Sequence, residues 1–156
     1  MKHPADEALG RGRGGFSTKL HLSCDGRGRP LSLTLTAGQR NESTQLVALL
    51  EGLPGEECPE HLLADRGYAH DSCRRTLEER GIAHTIPERS DQRERRELRG
   101  GEPPGFDAGL YRRRNAVERC VNRLKRWRAV ATRYEKRAVN YRAVVVIASL
   151  MLWLAS

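Results

Sequence analysis

Two runs of strictly alternating side chains constrain this chain more than any other feature of it. Phe16, Thr18, Leu20, Leu22 and Cys24 alternate with Ser17, Lys19, His21 and Ser23. After a Gly- and Pro-containing turn at residues 25–30, Leu31, Leu33, Leu35 and Ala37 alternate with Ser32, Thr34 and Thr36. A period of two places each apolar set on one face of a strand, so the pair predicts an antiparallel hairpin with one apolar face. In that hairpin His21 falls on the solvent-side row and Asp25 in the turn.

The next segments change period. Asn41 is suited to cap a helix running to Leu50, with Leu46, Val47, Leu49 and Leu50 as its packing stripe, and Gly52, Pro54 and Gly55 stop it. A short apolar strand at residues 61–64 leads to Asp65, then a loop, a helix over 71–80 closed by Gly81, and a strand over 82–86 ended by Pro87. A strand, helix and strand in that order favour a parallel pair, and functional groups in open α/β sheets collect beyond the carboxyl ends of such strands. Asp65 sits at one of those ends; an acid in this place also serves as a turn or cap residue. The expected class is therefore α/β, a mixed sheet flanked by helices, and 156 residues suffice for one domain with one core.

Residues 1–15 are polar and glycine-rich. Gly10, Gly12 and Gly15 satisfy G-x-G-x-x-G, but a dinucleotide fingerprint needs a strand before it and a helix after it. Here a strand follows, and the segment reads as a flexible basic lead. Residues 88–105 have almost no apolar side chains and mix both signs of charge, which predicts an exposed insertion or flexible linker, with room for a short charged helix. The apolar run 143–155 reads as a buried core helix, since it falls well short of the roughly 20 residues of a membrane span.

Charge narrows the class of partner. The net charge is +8, and the sequence pI is about 9.9. Between residues 88 and 142 there are 17 Lys and Arg against 8 Asp and Glu, while the rest of the chain is near balance. A surplus confined to one segment is the footprint of a polyanion-binding surface. Four scattered cysteines form no C-x-x-C pair, and the histidines have no zinc-like spacing; they read as reduced, mostly buried thiols in a cytosolic protein without a zinc site. No apolar signal region opens the chain, and no membrane partner is expected.

The basic segment contains residues 111–125, YRRRNAVERCVNRLK. On an α-helix, at about 100° per residue, Tyr111, Arg114, Glu118 and Lys125 share an arc of roughly 60°. Ala116, Val117, Cys120, Val121, Leu124 and Trp127 fall on the adjoining and opposite arc, so the helix packs by that side and displays one carboxylate among cations. Taken alone, an i,i+4 pair from Arg114 to Glu118 also suits a solvated face. Downstream, Trp127 and Tyr134 interleave with basic residues, a pattern that serves base stacking and ordinary packing equally.

These four residues match, at every spacing, the Y-(2)-R-(3)-E-(6)-K signature of the DDE transposases of bacterial insertion sequences, and residues 63–68, LADRGY, resemble the segment around that family's second aspartate. From about Gly10 to Leu154 the chain resembles the family's C-terminal catalytic half. The resemblance implies a ribonuclease H-like fold in which two aspartates and a glutamate hold two divalent ions, Mg²⁺ or Mn²⁺. Such ions activate the attacking oxygen and stabilise the leaving one in DNA strand cleavage and transfer. Asp65 and Glu118 correspond to two of the ligands. Arg114 and Lys125 correspond to phosphate-neutralising cations and Tyr111 to a strand-positioning hydroxyl, with Arg66 beside Asp65 as a further DNA contact. In the family the first aspartate ends a first strand upstream of the glycine-rich stretch. No such strand precedes Gly10 here, and Asp6 does not fill the place.

The expectation is therefore a single truncated domain, lacking the first strand and holding an incomplete metal site, that depends on an upstream frame product of the same mobile element for activity. Its partners are the element ends and target DNA, it acts as a homo-oligomer when active, and it works in the bacterial cytoplasm at the nucleoid. Exposed pairing groups on the hairpin should make the isolated chain prone to self-associate. The competing readings are a non-catalytic DNA-binding or inhibitory fragment and a decayed relic. An RNA-binding module fits the charge but lacks an RNP aromatic pair or GXXG loop.

Overall fold

The structure, a computed structural model, describes residues 7–12, 15–55 and 58–155. Its first unit is the expected hairpin: β2 (Gly15–Cys24) pairs antiparallel with β3 (Pro30–Ala37), Leu20 opposite Leu35 and Leu22 opposite Leu33. Asp25 organises the turn. Its Oδ1 accepts the N–H groups of Arg27 (3.0 Å) and Arg29 (2.8 Å), and Oδ2 accepts Arg29 Nε (2.7 Å). Burial raises the Asp25 carboxyl, and these Arg29 and Arg27 contacts outweigh it, holding the group below its ordinary range.

Leu20, Leu22, Cys24, Leu33 and Leu35 pack against a core of Cys120, Leu124, Val130, Tyr141, Val145, Ala148 and Leu152. That is the face alternation predicts. The opposite row departs from prediction: His21 is only 3% exposed, its Nε2 2.8 Å from Thr36 Oγ1. Helix α1 (Leu46–Glu51) packs against β2 and β3, and Gln45 just before it meets Thr34. The hairpin is consequently covered on both faces. Desolvation, then the Lys19 charge, lowers the His21 pKa, with Glu42 opposing. A polar row signals the face away from the apolar core, but periodicity says nothing about whether another element covers it.

A second departure lies at the sheet edge. Residues 13–14 of the expected basic lead, like residues 1–6 and Asp6 with them, lie outside the described residues, but Gly10–Gly12 form a strand, β1, paired with Gly15, Phe16 and Ser17. The sheet order is β1-β2-β3. A Cβ on Gly10 would lie 1.6 Å from Gln39 Oε1 and 2.7 Å from Ala37 Cβ, so this close approach requires glycine. Main-chain pairing makes the strand, and side-chain alternation cannot announce it.

The second unit is β4 (His61–Leu63), α2 (Asp71–Glu79) and β5 (Ala83–Thr85), with β4 and β5 parallel as expected. Gly81, at φ +67°, closes α2, and Ile82 N–H donates back to Leu77 O at 2.8 Å. Leu77, Cys73, Ile82, Ile86 and Ala69 form its core together with Leu46 and Leu50 of α1. Helix α1 thus lies on the hairpin while belonging to the core of the β4–α2–β5 unit. Asn41 caps the one-turn 3-10 helix before it, accepting Ser43 N–H at 3.1 Å.

Within 88–105 a short charged helix does form: α3 (Ser90–Leu98), with no buried residue. It is held to the second unit by Gln92 Nε2, which donates to Ala69 O at 2.6 Å, and its Arg96 pairs with Glu88. Helices α4 (Ala108–Arg112), α5 (Asn115–Leu124), α6 (Arg128–Ala131) and α7 (Ala138–Leu154) complete the chain. The single helix expected over 111–125 is interrupted: Arg114, Ala116 and Val117 donate to carbonyls three residues back, tightening the turn between α4 and α5.

Helix α7 is a core helix by one face only. Tyr141, Val145, Ala148, Ser149 and Leu152 are buried, and Tyr141 Oη donates to Val130 O at 2.8 Å. Val146, Ile147, Leu150, Met151 and Leu154 are exposed, against the expectation of a buried run. The overall class is mixed α/β, a three-stranded antiparallel sheet and a two-stranded parallel sheet packed with helices. No described helix is long and apolar enough to cross a membrane. All four cysteines are free, with Cys73 and Cys120 buried.

Candidate functional site

A cleft of about 840 Å³ separates the two sheets. One wall is β2 from Lys19 to Cys24, the other β4 and its continuation to Asp65, and α1 and α5 complete the lining. Consecutive residues of each strand line it, so both strands meet the cleft edge-on. Beyond Ser17 the β2 edge that faces away from β3 has no strand partner among the described residues, and β4 pairs only with β5.

Asp65 follows β4 with Ala64 between them and lines this cleft. It caps a one-turn 3-10 helix at Arg66–Tyr68, its Oδ1 accepting Gly67 N–H at 2.9 Å. A Cβ on Gly67 would sit 2.9 Å from that oxygen and 3.2 Å from Glu42 Cβ, so the turn folds under the carboxylate only with glycine there. Tyr68 lines the cleft beside it; burial, then the charges of Asp65 and Glu42, pushes its phenol pKa up.

Glu118 reaches the cleft from α5. It is 55% exposed and accepts Arg114 Nη2 at 2.5 Å; with the Asn115 amide oriented to suit its neighbours, Asn115 donates to its other oxygen at 3.1 Å. Arg114 also lies over Tyr111, 5.7 Å from the ring centre, and Tyr111 packs on Phe106 at 5.2 Å. Arg123, one turn further along α5, donates to Gly28 O and so ties the helix to the hairpin turn. Gly28 has φ +79°, and a Cβ there would lie 3.1 Å from Ala116 O. That contact sets how closely α5 approaches β2.

Of the six residues singled out from sequence, Asp65, Arg114 and Glu118 line the cleft, while Tyr111, Lys125 and Arg66 do not. Tyr111 joins the site indirectly, through Arg114. Lys125 caps the end of α5 and Arg66 is exposed beside Asp65, both outside the lining. Sequence reasoning missed Lys19, Glu42 and Arg113, which do line it. Lys19 Nζ meets Glu42 Oε1 at 2.6 Å. Burial raises the Glu42 carboxyl, and the Lys19 hydrogen bond, a backbone N–H and the Lys19 charge outweigh it, holding the group below its ordinary range. Nothing local marks this pair, because its members are 23 residues apart and meet only when the 3-10 turn docks on β2.

A pair of hard divalent ions takes six or more oxygen ligands each, chiefly carboxylate and water. Among the described residues no group of three or more His, Cys, Asp or Glu side chains is arranged to hold a metal ion. Asp65 and Glu118 are two carboxylates, and each already accepts a hydrogen bond. The residues present do not by themselves make a two-metal site.

Comparison with known proteins places the chain. Residues 3–154 match the family described as the transposase DDE domain. A protein named as a candidate transposase for insertion sequence element IS6501, from Brucella ovis, is 32% identical over 143 residues, covering 89% of this chain and 99% of that protein. Another, named for insertion sequence element IS402 of Burkholderia cepacia, is 32% identical over 129 residues. It aligns with 78% of this chain, which spans only 55% of that relative's length. No solved structure is significantly similar. With its family match running over nearly its whole length, the chain belongs to the DDE transposases of insertion sequences.

Proposed function

We propose that this chain is catalytic-domain sequence of an insertion-element transposase, built to cleave and transfer DNA strands in a ribonuclease H-like fold completed by one further strand. The observation that carries this reading is the convergence of Asp65 and Glu118, from separate units of the fold, on one cleft with Arg114 beside them. Two strand edges that have no strand partner among the described residues face that cleft and supply the second support. A strand entering between β2 and β4 would bond to both edges and merge the two sheets, and an acid at its end would stand beside Asp65. With such a third carboxylate, Asp65 and Glu118 would hold a divalent ion, and that ion would supply charge stabilisation at the scissile phosphate.

The chain's own part is to bind and position the DNA. Arg113 and Arg114 at the cleft, with Lys125 and Arg66 flanking it, neutralise phosphates, and Tyr111 keeps Arg114 oriented. Binding of this kind weakens steeply with salt because counterions are released. The reading is tested by nicking of supercoiled plasmid in Mn²⁺, with the chain alone and with the polypeptide encoded immediately upstream. The expected result is salt-sensitive binding without nicking by the chain alone. Nicking in the mixture should be abolished by Asp65→Asn or Glu118→Gln while binding persists. Robust nicking by the chain alone, lost in Glu118→Gln, would overturn the need for a further acid. The second reading, a non-catalytic DNA-binding or inhibitory fragment, is favoured by the neutralisation of Glu118 by Arg114. It wins if both substitutions leave every property unchanged.

A further inference from the structure

Helix α7 carries a second apolar face that the described fold leaves bare. Val139 is 59% exposed, Val146 43%, Ile147 62%, Leu150 56%, Met151 48% and Leu154 74%. Their spacing of three and four residues makes one stripe along the helix, opposite the buried row of Tyr141, Val145, Ala148 and Leu152. From Ala143 to Ala155 there is no charged side chain on any face. Soluble monomers rarely leave an uninterrupted apolar patch of this extent in water.

We infer that this stripe pairs with the same stripe of a second copy, the two α7 helices running antiparallel about a twofold axis. The area favours this occupant. Six such side chains, each about half exposed, present on the order of 600 Å² per copy, so two copies remove about 1,200 Å², where stable interfaces begin. The charge distribution sets the direction. Arg142 is exposed near the start of α7 and has no hydrogen-bond or ion-pair partner among the described residues. The far end of this 17-residue helix presents the negative end of its dipole. Antiparallel pairing sets Arg142 of one copy at that end of the other, with Val146 facing Leu150; parallel pairing would set the two Arg142 side chains together. The uncharged stripe offers a polyanion nothing, so it is distinct from the DNA-binding surface, and the inference stands whether or not the proposed chemistry does.

Sedimentation equilibrium of the full chain tests it. The wild type should be a dimer in reversible exchange with monomer, and Leu150→Glu, which places two carboxylates near the twofold axis, should be a monomer with unchanged circular dichroism. A milder variant, Arg142→Glu, should weaken dimerisation without touching the stripe, so a folding defect in Leu150→Glu cannot decide the matter. In a Cys58→Ser background, mixed Val146→Cys and Leu150→Cys chains should cross-link to each other on mild oxidation. A wild type that remains monomeric, or a dimer that survives Leu150→Glu and Arg142→Glu, would overturn the inference; the surviving dimer would point to the open strand edges.

Discussion

Asp65 and Glu118 reach one cleft from regions built on different physics, and the contrast shows which half of the site is rigid. Asp65 is held by backbone: its oxygen is bonded to Gly67 N–H, and the turn rests on the β4–α2–β5 core through Ala69 and Tyr68. Glu118 is held by side chains, an exposed carboxylate paired with Arg114 on a helix that follows a distorted turn. A cap bonded to a backbone N–H stabilises by about 1 kcal/mol and ties the side chain to the main chain, whereas an exposed ion pair contributes little and rearranges easily. The Glu118 arm is therefore the adjustable one, its ion pair with Arg114 exposed and easily exchanged.

The largest expected effects test whether the two arms fold together. Leu77 and Leu124 are each 0% exposed, one in each core, and Leu77→Ala or Leu124→Ala should each cost about 2–5 kcal/mol in denaturant unfolding. Since α1 belongs to one core and packs on the hairpin of the other, a single transition is expected in both variants. Separate transitions would show that the arms unfold independently. Next in size is the cap. Asp65→Ala should lose about 1 kcal/mol, while Asp65→Asn, which still accepts Gly67 N–H, should hold stability near wild type in the same assay. An equal loss in both would mean that the carboxylate charge, and not the cap, fixes this arm.

Arg114→Ala should change stability by less than about 0.5 kcal/mol, because the pair is exposed, yet weaken DNA binding measured by fluorescence anisotropy. A large stability loss would make the Glu118 arm as rigid as the other. The smallest effect is a pH slope. His21 has its pKa lowered below 6.5 in the folded chain, so between that folded value and 6.5 the unfolded chain binds more protons. Its contribution to stability is present above 6.5 and lost as the pH falls through this window. Urea unfolding across it should show stability falling on acidification, with a shallower slope in His21→Gln. The lowered carboxyls of Glu42 and Asp25 act at lower pH, below about their ordinary values of 4.5 and 3.8, with the same sign.

Much of the first arm was legible in the sequence. The strand before Asp65, the helix after it and the stop at Gly81 are local signals, and all three are found. The second arm was legible as chemistry more than as geometry. Arg114 and Glu118 pair as their spacing predicts, but Tyr111, set on the same ideal arc, stands outside the cleft because the helix breaks between Arg112 and Asn115, and Lys125 stands outside it because it lies about two turns beyond Glu118, at the end of α5. Lys19 and Glu42 carried no signal, since each looks like an ordinary surface charge until the chain folds.

What the sequence by itself determined are the features set within a few residues: the alternation that makes β2 and β3, the Asx turn at Asp25, the caps at Asn41 and Gly81, and the i,i+4 pair on α5. Only the tertiary structure decided that the polar face of the hairpin would be covered, that Gly10–Gly12 would become an edge strand, that one face of α7 would stay bare, and that two distant carboxylates would share a cleft. The reason is physical. Dihedral preference and periodicity act along the chain, whereas coverage, edge pairing and convergence depend on which surfaces meet, and those contacts join residues that no local pattern relates.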